Sequence, residues 1–168
     1  MSNVPLEIER KFLIRCPERA LLEQKAEKYL RLSQTYLARG EDGSSRRVRS
    51  SECNGAVCYT YTRKKHLYGF TREELEDAIC EDEYLRLLSE RDPAKNTIEK
   101  TRYVIPYRGH NFELDVYPFW SDRATLEVEL SSEEEAFELP PFLEVIKEVT
   151  GDPAYLNSHL AERIPDPS

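Results

Sequence analysis

The strongest constraint on the fold is an alternation of period two that recurs along the chain and loads one face of segment after segment with formal charge. Residues 6–14 read Leu-Glu-Ile-Glu-Arg-Lys-Phe-Leu-Ile. Successive side chains of a β-strand point to opposite faces. Leu6, Ile8, Phe12 and Ile14 therefore share one side, and Glu7, Glu9, Lys11 and Leu13 the other. The pattern returns at Arg47 and Arg49 around Val48, and at Lys100 and Arg102 opposite Thr101, Tyr103 and Ile105. It returns again at Glu113, Asp115 and Tyr117 between Phe112, Leu114 and Val116, and at Glu127 and Glu129 between Leu126, Val128 and Leu130. Neutral Ser, Thr or Gln would serve a solvated strand face equally well. Charges repeated on several strands imply apolar faces covered from outside by helices, with the charged faces turned toward one another. A charged interior costs several kcal/mol per unpaired ion, so it is retained only for function.

The signs are segregated as well. The first strand and the last two carry mainly carboxylates, whereas the segments around Arg47, Lys64 and Lys100 carry mainly cations. A closed sheet would then have an acidic wall and a basic one. Carboxylate oxygens suit Mg²⁺ or Mn²⁺, and Arg and Lys suit phosphoryl oxygens.

Punctuation between the charged segments sets the remaining elements. Cys16-Pro-Glu18 opens a helix to about Tyr29 with Leu21, Leu22 and Ala26 as its buried stripe. Residues 32–38 read as a strand, and Gly40-Glu-Asp-Gly43 as a turn. Residues 44–50 and 56–64 are the arms of a hairpin. From Thr71 to Ser89 the Leu, Ala and Ile spacing suits one long helix, while Arg72, Glu74 and Glu76 alternate as in a strand. Residues 96–107, 111–117 and 124–130 are further strands, the first two joined by a tight turn at Arg108-Gly-His110. Pro140-Pro141 begins a helical region that breaks near Gly151-Asp-Pro153 and resumes from Tyr155 to about Arg163. With 168 residues and no linker or repeat, residues 1–168 are expected to form a single domain.

Composition removes several function classes. A net charge of −8 argues against a nucleic-acid binder, whose affinity rests on clustered positive charge. No apolar run approaches a membrane span and the charged N-terminus lacks a signal-peptide core, so a cytoplasmic protein without a membrane partner is expected. Cys16, Cys53, Cys58 and Cys80 show no Cys-x-x-Cys pairing and read as reduced, mostly structural thiols. His66, His110 and His159 form no metal or nucleophile signature and read as surface or hydrogen-bonded residues.

The ordered segments Glu7-x-Glu9-x-Lys11, Arg47-Val-Arg49, Glu99-Lys-Thr-Arg-Tyr103, Phe112-Glu-Leu-Asp-Val-Tyr117 and Leu126-Glu-Val-Glu-Leu130 resemble the CYTH domain, or triphosphate tunnel metalloenzyme, family over about residues 6–161. The resemblance implies an α+β fold: an eight-stranded antiparallel β-barrel forming a triphosphate tunnel, with flanking helices and a helical C-terminus. It implies that Glu7, Glu9, Glu127 and Glu129 face the metal, with Asp115 close by. Lys11, Arg47, Arg49, Lys64, Arg72, Lys100 and Arg102 would hold the triphosphate. Glu74, Glu76 and Glu113 would be further tunnel acids. It also implies that Thr71-Arg-Glu-Glu-Leu-Glu76 is the fifth strand, followed by a helix from about Glu81. The sequence departs from the family at Thr62-Arg-Lys-Lys65, where Lys64 is placed inward with Arg63 as its rival, and in residues 65–70, which carry less glycine. Asn157 of Tyr155-Leu-Asn157 stands as either a ligand or a capping amide.

The activity implied is metal-dependent hydrolysis of the terminal phosphoryl group of a triphosphate, with Mg²⁺ or Mn²⁺ as cofactor. Lys11 would be the general base or water-orienting group, helped by Tyr36. The first strand looks closest to the bacterial inorganic triphosphatase branch, which favours tripolyphosphate. The alternatives are a class IV adenylyl cyclase, a thiamine triphosphatase, and a non-catalytic tunnel that binds polyphosphate or nucleotides. The expected partner is a small-molecule triphosphate, with a homodimer left open.

Overall fold

The computed structural model describes residues 5–164. Its strands are β1 (Leu6–Arg15), β2 (Lys28–Tyr36), β3 (Ser45–Cys53), β4 (Ala56–Tyr68), β5 (Thr71–Ile79), β6 (Ile98–Tyr107), β7 (His110–Val116), β8 (Arg123–Glu129) and β9 (Val145–Glu148). Three short helices join them: α1 (Arg19–Lys25), α2 (Glu81–Leu87) and α3 (Asn157–Leu160). The sheet order is β5-β4-β3-β2-β6-β7-β8-β1-β9, and an added β5–β1 pairing closes the first eight strands into a barrel. All neighbours are antiparallel. Among the described residues, no helix is long and apolar enough to cross a membrane.

β1 is the strand on which closure depends. One edge pairs with β8 from Glu9 to Arg15. The other is shared, with β5 opposite Leu6–Ile8 and β9 opposite Phe12–Ile14. That sharing explains the first correction to the sequence reading. The region after Pro140-Pro141 holds a turn and then β9, not a helix, because the free edge of β1 offers backbone partners that a solvated helix would leave unpaired. The short helical turns at Pro153–Tyr155 and α3 follow as expected. Thr71–Ser89 forms what the family resemblance implies, β5 and then α2, and not the single helix that apolar spacing alone suits. Ladders on both sides, to β4 and β1, outweigh the helical period. The helix expected to run to Tyr29 ends at Lys25, and β2 begins at Lys28.

The outer faces of β1, β6, β7 and β8 are apolar and covered. Phe12, Ile14, Ile105, Phe112, Leu114 and Leu126 are buried beneath Leu22 of α1 and beneath Phe137, Leu139 and Phe142. Burying each such side chain contributes roughly 1.5–3 kcal/mol. Residues 131–144 contain no regular helix, so irregular chain supplies much of the cover expected of helices. Val48 of β3 packs under Leu87 and Tyr84 of α2. Leu6, expected in the core, is 51% exposed at the barrel rim. Arg108 and Gly109 have φ of 46° and 82°, the left-handed pair that a two-residue hairpin turn between right-twisted strands requires. On the inner side of β1 the charges give way to Leu13, which meets Val149 and Tyr155 and closes the barrel interior there.

Candidate active site

Directly opposed residues of an antiparallel ladder point to the same face, so the register assembles the inner walls. β1 and β8 set Glu9 against Glu129 and Lys11 against Glu127, and β7 adds Glu113 beside Glu127. β1 and β5 set Glu7 against Arg72. β4 and β5 set Lys64 against Glu74 and Thr62 against Glu76. β2 and β3 set Gln34 against Arg49 and Tyr36 against Arg47. All of these side chains line one polar cavity of about 320 Å³, together with Arg102, Ser45 and the Leu156–Ser158 turn, Gln34 excepted. Lys64 faces this cavity and Arg63 is exposed outside it.

The acidic wall holds more negative charge than its neighbours neutralise. Glu7 is gripped by Lys64 at 2.8 Å and by Arg72 at 2.8 Å, and Arg72 also reaches Glu9 at 3.3 Å. Burial would raise the Glu7 carboxyl, but a hydrogen bond with Glu74 and the charges of Lys64 and Arg72 hold it well below the usual range. Glu9 goes the other way. Burial, then the nearby Glu127 and Glu7, push it up to about 8. Glu74 is likewise pushed up to about 8 by burial and by its hydrogen bond with Glu7. Glu129 is raised by burial and by Glu7 and Glu113. Glu127 is buried too, yet Lys11, Arg102 and Lys100 keep it low.

The basic wall has the opposite surplus. Among the described residues, neither Arg47 nor Arg49 forms an ion pair. Arg49 donates to Gln34 Oε1 at 2.9 Å and 3.2 Å, and burial with Arg47 and Arg102 nearby pushes it down to about 10. Arg47 Nε is buried without any hydrogen-bond partner. Buried polar groups are almost always paired, so the Arg47 guanidinium keeps hydrogen-bonding capacity that the protein does not use, beside the cavity it lines.

Lys100 and Asp115 stand apart from the cavity, behind Arg102. Asp115 receives Arg102 Nε and Nη2 at 2.8 Å and 2.9 Å and Lys100 at 2.7 Å. Arg102 also donates to Glu113 at 2.9 Å. The structure thus gives Asp115 the place of a buried counter-ion and not of a wall carboxylate. Burial pushes Lys100 down to about 7 although Asp115 pulls the other way, with Arg102 and Arg49 reinforcing the burial. Lys11 donates to Tyr155 O at 2.7 Å and pairs with Glu127 at 3.1 Å. Tyr36 accepts a hydrogen bond from Gln34 Nε2 at 3.0 Å, which leaves its own hydroxyl proton available to the cavity. Asn157 Oδ1 accepts from Tyr117 at 2.7 Å and from Lys100 at 3.4 Å, tying α3 to the barrel.

The sequence reading missed Gln34, Ser45, Thr62 and Ser158. Gln34 lies on the same face as Tyr36, so the alternation of β2 carried the signal for it. The acceptor for Lys11 is a backbone carbonyl, which no side-chain pattern announces.

As to a metal, the hard oxygens of Glu7, Glu9, Glu127 and Glu129 are the donor chemistry of Mg²⁺ or Mn²⁺, and the raised Glu9 reports a wall short of positive charge. The residues fit a divalent cation. Among the described residues no three acidic or histidine side chains are already drawn into a metal shell. Lys64 and Arg72 take up Glu7 instead.

Comparison with known proteins gives a consistent set of relatives. The CYTH domain matches residues 5–149. The inorganic triphosphatase of Acetivibrio thermocellus is 38% identical over 69 residues, which cover 40% of this chain and 43% of that protein. The match thus spans less than half of that relative. The crystal structure of the inorganic triphosphatase NE1496 is 33% identical and superimposes with a TM-score of 0.59, over 95% of this chain and 100% of that one. The PH1819 protein of Pyrococcus horikoshii OT3, 18% identical with a TM-score of 0.58 over 74% of this chain and 80% of its own, shares the fold.

Proposed function

Because the chain belongs to the CYTH domain family, we propose that it is a metal-dependent triphosphatase that removes the terminal phosphoryl group of inorganic tripolyphosphate, using Mg²⁺ or Mn²⁺. The observation that carries this reading is the double surplus within one cavity. Arg47 and Arg49 lack carboxylate partners on one wall, while Glu9 and Glu129 are crowded by like charge on the other. A complex of a divalent cation with a polyphosphate cancels both at once. The relatives named inorganic triphosphatases support the same substrate.

Phosphoryl transfer has a loose transition state and demands positioning and charge neutralisation more than covalent help. Glu7, Glu9, Glu127 and Glu129 would hold the metal, which when bound supplies Lewis-acid neutralisation of phosphoryl oxygens. Arg47 and Arg49 would grip a substrate carrying about four to five negative charges, with Tyr36 donating its hydroxyl proton to it. Lys64 and Arg72 would exchange Glu7 for phosphoryl oxygens. Lys11 has two of its three donors committed to Tyr155 O and Glu127 and one left to point at water or at a phosphoryl oxygen. That arrangement favours a water-orienting role over that of a base. Arg102 lines the cavity, held by Asp115 and Glu113, and Lys100 and Asp115 behind it become its positioning partners. Glu74, Glu76 and Glu113 set the potential of the cavity.

The test is incubation with tripolyphosphate, ATP and thiamine triphosphate, each with Mg²⁺ or Mn²⁺, measuring released phosphate and cyclic AMP. Phosphate from tripolyphosphate in preference to the others is expected. Cyclic AMP from ATP would replace this reading with a cyclase, and tight binding without product would replace it with a binding module.

A further inference from the structure

Two cysteines that no sequence motif connects are set against each other by the strand register. β4 and β5 pair with Thr62 opposite Glu76, Thr60 opposite Ala78 and Tyr59 opposite Ile79. One further step in the same register puts Cys58 opposite Cys80. Cys80 follows Ile79 and is still extended, with φ −82° and ψ 167°, so the chain has not yet turned away into α2. Opposed residues of an antiparallel ladder have Cα atoms about 4.5–5.5 Å apart, inside the roughly 4.4–6.8 Å that a disulfide spans. The faces agree as well. Tyr59 and Ile79 are turned toward α2, where the Tyr59 ring lies 4.8 Å from that of Tyr84. Their neighbours Cys58 and Cys80 therefore share the opposite face. Both are exposed and carry free thiols.

Cys53 is the rival partner. On β3, Ser51 stands opposite Cys58 and Cys53 opposite Ala56, which makes Cys53 only a diagonal neighbour of Cys58. Diagonal pairs are about 7–8 Å apart, beyond disulfide reach. Neither Cys58 nor Cys80 lines the polar cavity, so this pair is separate from the proposed active site.

We propose that Cys58 and Cys80 form an accessible dithiol site that closes reversibly to a disulfide on reaction with low-molecular-weight disulfides. The thiolate of one cysteine attacks a sulfur of the small disulfide, breaking its S–S bond and expelling one small thiol. The second cysteine then attacks the protein sulfur of this mixed disulfide and expels the other small thiol. Two protein thiols are oxidised, one small disulfide is reduced to two thiols, and the two protons lost by the protein end on those products. The bond joins β4 to the residue that precedes α2, beside strands already paired, so it forms without rearranging the barrel.

The experiment treats the native protein with oxidised glutathione, quenches with N-ethylmaleimide and maps non-reduced tryptic peptides by mass. The expected product joins the peptide Ser50–Arg63 to Glu73–Arg86. It forms in the wild type and in Cys53→Ser, is absent in Cys58→Ser, and disappears on reduction with dithiothreitol. It also forms at least about tenfold faster in the native protein than in urea, because the fold holds the two thiols together. Stable glutathione adducts at Cys58 and Cys80 without a link, a link made by Cys53, or equal rates in folded and unfolded protein would each overturn the proposal.

Discussion

Asp115 separates two accounts of the acidic residues, and Asp115→Asn decides between them. The family resemblance places it close to the metal, whereas the structure buries it completely, with Arg102 and Lys100 on its oxygens. Removing one partner of a buried ion cluster leaves uncompensated charge and costs about 3–5 kcal/mol. For a chain of this size that corresponds to a fall in Tm of roughly 6–20 °C. The loss should depend on pH in a set direction. Lys100 is depressed from 10.5 to about 7, so in the wild type its burial penalises folding below pH 7 and is relieved as pH rises from about 7 toward 10.5. Without Asp115 the amine loses the anion that pulls it upward, and relief begins at lower pH. The stability deficit of the variant should therefore be largest near pH 5 and narrower at pH 8. Urea unfolding followed by circular dichroism at both values measures it, with calorimetric titration of Mn²⁺ alongside. A variant that loses less than about 1 kcal/mol at pH 5, yet binds Mn²⁺ more than tenfold more weakly, would refute the counter-ion assignment and restore Asp115 to the metal.

Arg47→Met removes a half-buried cation without a carboxylate partner, so it should leave the melting temperature unchanged or higher while raising KM for tripolyphosphate about 10–100-fold, the worth of a charge-assisted hydrogen bond. Steady-state kinetics beside thermal melts check both halves, and an unchanged KM would remove Arg47 from substrate binding. Glu9 is raised from 4.5 to about 8, so the metal-free protein binds more protons folded than unfolded, and Glu9 costs it stability as pH climbs through that window. Glu9→Gln should flatten this decline in melts run with a chelator at pH 5 and 8, and should abolish metal-dependent turnover. Gly69 has φ +51°, and a Cβ there would lie 2.5 Å from Glu133 Oε2, an oxygen that accepts from Phe70 N and Thr71 Oγ1. Gly109 has φ +82° and open space around it. Gly69→Ala should thus cost clearly more stability than Gly109→Ala, whose penalty of about 1 kcal/mol is backbone strain alone; equal losses in urea unfolding would show that the Glu133 strap is dispensable.

Which face a side chain occupies is a local property of a strand, and alternation alone places Glu7, Glu9, Lys11, Arg47, Arg49, Glu127 and Glu129 on the cavity side. What an inward side chain meets there is set by register and by distant chain, and a single strand carries no record of it. Lys100 and Arg102 have the same alternation as Arg47 and Arg49. One pair faces the Asp115 carboxylate of β7 and is neutralised, and the other faces Gln34 and Tyr36 of β2 and is not. β9 was illegible for the same reason. Its four residues are too few for a period to emerge, and they form a strand because β5 leaves part of the β1 edge free. In residues 71–89 Leu75 and Ile79 are spaced for a helix as well as for a strand, so periodicity leaves the segment open; the family resemblance points to the strand, and the partners on either side decide it. The two surpluses in the cavity are therefore a product of strand order. Had β7, with Asp115, been neighbour to β3, Arg47 and Arg49 would have been the neutralised pair, and the same alternating sequence would have enclosed a salt-bridged core with no room for an anion.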